Sequence, residues 1–243
     1  MRGLRVLLYH SISGDGQRDG LTVSHRQLEQ QFSYLQSRGY TTILLSDLIA
    51  YCDGLKPLPP NPVLITFDDG FLNNVEIAYP LAKKYGIKIN LFVVPVFMKR
   101  GGYRQERCLQ PEDLEGLDPG LVEIGLHSYD HSNYTDLPPA EIEANIDRCV
   151  YSLQQMGISY QPCLAYPYGA YPKRRDEVQD GFFHLLEQKG IRLAFRIGNR
   201  INPLPFRQKF LIQRLDIRGD EPFLQFQLSL AFGKKLFRVP RFN

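Results

Sequence analysis

The chain has 243 residues, 43% of them hydrophobic and 23% charged, which suits one large domain with a full core and excludes disorder. Its 20 Gly and 17 Pro follow no period, which excludes collagen and leaves them as turn punctuation. A net charge of +3 gives no electrostatic case for nucleic acid, and no apolar run approaches the ~18 residues of a membrane span.

In chain order, strand-like and helix-like runs alternate, the pattern of a parallel sheet or barrel wrapped in helices. Residues 4–9 form a first strand. Ser24 and Gln27 stand at capping-box spacing before a helix whose Leu28, Phe32 and Leu35 share one face and which stops at Gly39. A strand at 41–45 follows, then a short helix capped by Ser46 and running to Cys52, then a loop over 54–62 with four prolines that can continue neither element. Residues 63–67 are a buried strand. Asn73 and Asn74 are positioned to cap a helix over 75–85 that Gly86 stops. A strand at 88–94, irregular chain to Gln110 and a strand at 122–126 come next.

Pro138 and Pro139 open the clearest helix, where Ile142, Ile146, Cys149, Val150, Leu153 and Met156 make one apolar stripe ended by Gly157. That stripe reads as packing surface without chemistry. A strand at 164–166, a helix over 176–189 and strands at 193–196 and 211–215 complete the series. About seven β/α units in this length predict an α/β fold, an irregular (β/α) barrel over residues 1–220, with a basic helix or tail over 221–243 packed on or beside it.

Residues 189–243 hold twelve Lys and Arg against three Asp and Glu, which reads as a solvated positive flank or as a docking face for anionic polymer or lipid headgroups. Residues 223–232 followed by Lys234, Lys235, Arg238 and Arg241 suit either a packed helix with exposed bases or a segment resting peripherally on a membrane. Cys52, Cys108, Cys149 and Cys163 make no C-x-x-C and are expected to be free thiols. No leader precedes the first strand, so a cytoplasmic location is expected; an exported one follows if the chain is a truncated mature form.

In such barrels chemistry sits at the carboxyl ends of the strands. There this chain places His10, then Asp68-Asp69-Gly70, then His127 and His131, then Pro167-Tyr168-Gly169. Two imidazoles and a carboxylate with open positions suit a divalent metal. Each signal alone has a plain structural reading as a turn or a hydrogen-bonded histidine; their succession at consecutive strand ends is what points to a site. Tyr103, Tyr134, Tyr168 and Tyr171 fall in loops expected near the same mouth, where aromatic faces suit sugar rings.

Thr66-Phe67-Asp68-Asp69-Gly70, His127-Ser128-Tyr129-Asp130-His131 and Tyr166-Pro167-Tyr168-Gly169 resemble the signature of polysaccharide deacetylases, carbohydrate esterase family 4, with the NodB-homology domain. Leu8-Tyr9-His10-Ser11-Ile12 and Ala165-Tyr166-Pro167-Tyr168-Gly169 are similar in form to poly-β-1,6-N-acetylglucosamine deacetylases. The resemblance implies metal-dependent de-N-acetylation of a sugar in a polysaccharide, oligosaccharide or glycolipid precursor. It places one divalent ion, zinc first and iron, cobalt or nickel as alternatives, on Asp69, His127 and His131. It makes Asp68 the base, the backbone N–H of Tyr168 an oxyanion donor and His10 the acid.

The chain departs from the family pattern twice. No histidine follows His184, so the usual late Leu-x-His acid is missing, and Ala165 stands where relatives carry an Arg that buttresses the catalytic Asp. Arg196, Arg200 and Arg214 are the candidate replacements. These departures favour a second reading, a glycan-binding pseudoenzyme; a third, a metal amidohydrolase acting on a non-carbohydrate amide, draws on the same two-His-one-Asp site, because fold and metal do not fix substrate.

Overall fold

The computed structural model describes residues 3–14, 16, 18–173 and 177–233. Seven strands form its frame: β1 (Gly3–Tyr9), β2 (Pro62–Phe67), β3 (Ile89–Val93), β4 (Val122–Leu126), β5 (Cys163–Ala165), β6 (Leu193–Ile197) and β7 (Ile212–Asp216). Each pairs in parallel with the next, and β7 pairs back to β1, so the sheet closes into a barrel in simple chain order. Helices α1 (His25–Ser37), α2 (Leu45–Cys52), α3 (Tyr79–Tyr85), α4 (Pro95–Arg100), α5 (Pro139–Gln155), α6 (Glu177–Gln188) and α7 (Phe223–Phe232) accompany it. No helix among the described residues is long and apolar enough to cross a membrane.

The strands are covered on both faces, which is why they read as nearly continuous apolar runs. Leu4, Val6, Leu64, Phe92, Ala165, Leu193, Phe195 and Ile212 make one cluster, and Leu7, Tyr9, Ile65, Phe67, Leu91 and Val93 pack into a second with the helices. Gly125 is required by Phe92: a Cβ there would stand 2.4 Å from the ring. Helix α1 starts on the capping box read from the sequence, with Ser24 Oγ accepting from the Gln27 N–H and Gln27 Oε1 accepting from the Ser24 N–H.

The irregularity lies at the amino end of β2. Its outer edge is shared, with the short strand Thr41–Ile43 paired along its first half and β3 along its second. Where the ladder changes partners, the buried Asn90 fills the gap: Nδ2 donates to the Ile43 and Ile65 carbonyls, and Oδ1 accepts from the Leu45 N–H. The strand expected at 41–45 therefore stops early and stays outside the ring.

Three expected caps are corrected. Ser46 lies inside the first turn of α2, and Asp47 instead accepts from the Leu44 N–H. Asn73 and Asn74 cap no helix; a π-helical turn, Asn74–Ala78, precedes α3, and both side chains turn toward the first strand end. Helix α7 packs on α1 through edge contacts of Tyr34 with Phe223 and Phe226, and the Leu230 carbonyl accepts from Arg5 Nε. The basic residues Lys234, Lys235, Arg238 and Arg241 lie outside the described residues.

Candidate active site

The carboxyl ends of β1, β2, β4 and β7, with the loop after β5, converge on a cleft of about 160 Å³. His10, Asp68, Asp69, His127, His131 and Tyr168 all line it, so the strand-end residues read from the sequence as metal ligands, base, acid and oxyanion donor reach one place. The barrel ladder carries these ends into register. The Asp68 N–H donates to the Tyr9 carbonyl and the His127 N–H to the Val93 carbonyl.

The chain then bends sharply. Asp69, Ser128, His131 and Tyr168 all have φ between 59° and 71°, the left-handed region that non-glycine residues enter at a cost. Such turns aim successive side chains in different directions. Gly70 has φ 70° and lies against Val93; Gly169 has φ 64°, and a Cβ on it would meet the Ile197 nitrogen at 2.7 Å. The strand-to-loop corners are therefore held both by backbone conformation and by close approach.

Asp69, His127 and His131 each offer one ligand atom within 4.8 Å of the other two. His131 Nε2 lies 3.3 Å and His127 Nε2 3.5 Å from Asp69 Oδ1, too long for good hydrogen bonds. Asp69 Oδ1 is buried without a hydrogen-bond partner among the described residues. An orphaned carboxylate oxygen facing two imidazole nitrogens is what a cation would satisfy, so these residues fit a divalent metal.

His127 Nδ1 lies 2.8 Å from the Ala165 carbonyl. A carbonyl only accepts, so Nδ1 carries the hydrogen and Nε2 presents its lone pair toward Asp69. Burial lowers both imidazoles, His131 to about 3, so they stay neutral and available as ligands. Burial, and then repulsion from Asp68, raises the Asp69 carboxyl to about 7.

Asp68 behaves oppositely although it is as deeply buried. Burial would raise its carboxyl, yet the Arg214 guanidinium and His127, with the Arg214 hydrogen bonds, hold it down to about 2. Arg214 Nη1 and Nη2 reach Asp68 Oδ1 and Oδ2 at 2.6 and 2.7 Å, a two-pronged pair with no exposure on the arginine. This settles which arginine stands behind Asp68: Arg214 reaches it from β7, while Arg196 is spent on the Tyr171 hydroxyl and Arg200 is exposed.

His10 lines the cleft with Nδ1 unpartnered among the described residues, and burial lowers it to about 4 while Asp68 pulls it upward. Its strand end is fixed by Asn74 Nδ2, which donates to the His10 carbonyl, and by Asn73 Oδ1, which accepts from the Ile12 N–H. His25 and His184 lie exposed on α1 and α6, outside the residues lining the cleft.

Asn145, on α5 beside the stripe read as packing alone, is buried and holds the loop between His127 and His131. Its Oδ1 accepts from the Tyr129 N–H and the Tyr134 hydroxyl, and its Nδ2 donates to Asp130. A polar residue one position before the apolar Ile146 was the only signal available in the sequence. Of the four tyrosines expected at the mouth, Tyr168 is exposed and Tyr103 partly so, whereas Tyr134 and Tyr171 are buried in the core.

The family model for polysaccharide deacetylase matches residues 56–182, which include Asp68, Asp69, His127, His131 and Tyr168. The chain belongs to the polysaccharide deacetylase family. Metal dependence is general in that family, in keeping with the Asp-His-His cluster. YxkH of Bacillus subtilis, whose name places it in the same family, is 29% identical over 168 residues; the match covers 69% of this chain and 57% of YxkH. A poly-β-1,6-N-acetyl-D-glucosamine N-deacetylase of Staphylococcus epidermidis is 21% identical over 218 residues, 86% of this chain and 72% of its own length. Among solved structures, the Streptococcus pyogenes deacetylase PplD in complex with acetate superposes with a TM-score of 0.78 at 17% identity, covering 94% of this chain and 98% of its own, a likeness of fold.

Proposed function

We propose that this protein hydrolyses the N-acetyl group of an N-acetylhexosamine within a polysaccharide, an oligosaccharide or a glycolipid precursor, using one divalent ion, zinc first. The observation that carries the reading is the division between two adjacent buried aspartates, one locked to Arg214 and the other left orphaned toward two imidazoles. Family membership and relatives named as poly-β-1,6-N-acetyl-D-glucosamine N-deacetylases support the substrate class.

Asp69, His127 and His131 would hold the ion; when bound, it polarises the acetyl carbonyl and acidifies water beside Asp68. Arg214 keeps Asp68 ionised throughout the neutral range, so this carboxylate is always ready to accept a proton. His10 is neutral at rest, and the Asp68 charge favours its protonated form, which suits a group that delivers a proton to the departing amine. The backbone N–H of Tyr168, in its left-handed turn, is assigned to the developing oxyanion. Two departures, the missing late histidine and the missing family arginine, favoured a silent glycan-binding protein; Arg214 supplies the arginine contact from another strand, and His10 is the group assigned in place of the histidine.

The test is acetate release from short β-1,6-linked N-acetylglucosamine oligomers, with and without chelator. Release that chelator abolishes and zinc restores is expected. Absence of acetate from these and from other acetylated hexosamines, with metal bound, would overturn the reading.

A further inference from the structure

A hairpin that the family signature does not include reaches the same cleft. Gly102–Tyr103 and Glu106–Arg107 pair antiparallel, leaving Arg104 and Gln105 as a two-residue loop. Both have positive φ, 50° and 66°. Two-residue loops of that form strongly favour Asn, Asp and Gly, because bulky side chains there work against the backbone. An arginine at the first position runs against local preference, a pattern expected where the side chain serves a site.

The hairpin is anchored rather than loose. The Leu72 N–H donates to the Arg107 carbonyl and the Leu109 N–H to the Gly70 carbonyl, tying it to the loop that carries Asp69. Tyr103 stacks on Phe97 at 3.9 Å between centroids and 11° between planes, and the Arg104 guanidinium lies 5.2 Å from the Tyr103 ring centre. Arg104 Nε donates to the Tyr103 hydroxyl. No carboxylate among the described residues forms an ion pair with it, in contrast to Arg214 and Arg218, the other two arginines lining the cleft. Its charge is felt at His10, Asp69, His131 and Tyr168.

From this geometry we infer that Arg104 is a specificity-determining residue, which recognises an anionic group carried on or beside the acetylated sugar. A pre-oriented guanidinium at the lip of a cleft, with no ion-pair partner among the described residues, is suited to a phosphate ester or a carboxylate, and gives a neutral sugar only hydrogen bonds. The inference rests on the proposed deacetylation for its location, and binding tests it independently of turnover.

The experiment measures binding to the metal-loaded protein by calorimetry, with N-acetylglucosamine, N-acetylglucosamine 6-phosphate and N-acetylmuramic acid as probes. The phosphate and carboxylate arms distinguish the two sources of charge. At least one anionic probe is expected to bind about ten-fold or more tightly than the neutral sugar. Arg104→Gln should remove most of that ratio and Arg104→Lys should retain part of it, with thermal melts verifying that both variants fold. Equal binding of all three probes, or a ratio that survives Arg104→Gln, overturns the inference. Anion preference that Arg104→Gln removes, in a protein that releases no acetate from the oligomers or other acetylated hexosamines, would instead overturn the proposed function and leave Arg104 as an anion-binding residue.

Discussion

The two ends of the barrel are built on opposite terms. At the amino end, polar groups are satisfied: Asp47 accepts from the Leu44 N–H, Lys56 and Lys88, and Asn90 closes the gap in the ladder. At the carboxyl end, the buried atoms without partners among the described residues gather together: His10 Nδ1, Asp69 Oδ1, Asn74 Oδ1, Ser128 Oγ and Arg214 Nε. Among the described non-glycine residues with positive φ, all but Asn61 lie on that side too. One end is satisfied internally, and the other carries strain and unmet bonding capacity, the pattern expected of a ligand site.

The sharpest way to break this contrast is at the Asp68–Arg214 pair, the one fully buried arginine–carboxylate ion pair within the strained end among the described residues. Asp68→Asn should lower acetate release by about 100-fold or more. It should also cost about 3 kcal/mol in denaturant unfolding, because a buried guanidinium loses its counter-charge. Adding Arg214→Met should recover much of that stability and none of the activity. If Asp68→Asn alone kept full turnover, the base would be another group.

Asn145→Ala probes the scaffold under the loop between His127 and His131. Losing its bonds to Tyr129, Tyr134 and Asp130 should cost about 2 kcal/mol and weaken metal affinity about ten-fold, read by unfolding and by metal titration. A stability loss with unchanged affinity would reduce Asn145 to a packing residue.

The smallest effect belongs to the amino end. Burial would raise the Asp47 carboxyl, but the Leu44 N–H and the two lysines outweigh it and bring it to about 2 from the usual 3.8. A folded value below the unfolded one gives stability that is present above pH 3.8 and lost as pH falls through about 2. Asp47→Asn should therefore cost about 1 kcal/mol at pH 7, allowing for solvent screening, and the difference should fade toward pH 2. Acetate release per folded molecule should be unchanged.

Much of the barrel was legible because period and punctuation were strong: residues 122–126 and the Ser24 cap are as read. The site was legible because strand ends are where a barrel collects its chemistry, and the motifs stand at those ends. What escaped reading depends on contacts distant in sequence. Arg214 meets Asp68 across 146 positions, and nothing local to it distinguishes it from Arg196. Asn73 and Asn74 look like caps, yet their partners are His10 and Ile12, brought near by barrel closure. The short strand at Thr41 stops where Asn90 takes over, a consequence of ladder geometry rather than of propensity.

The most direct test is bound metal per chain, measured by elemental analysis on the wild type and on Asp69→Ala, Asp68→Asn and Asn90→Ala after zinc loading. About one zinc in the wild type, in Asp68→Asn and in Asn90→Ala, with none in Asp69→Ala, is the result this account predicts. Zinc retained by Asp69→Ala, or absent from the wild type, would contradict it.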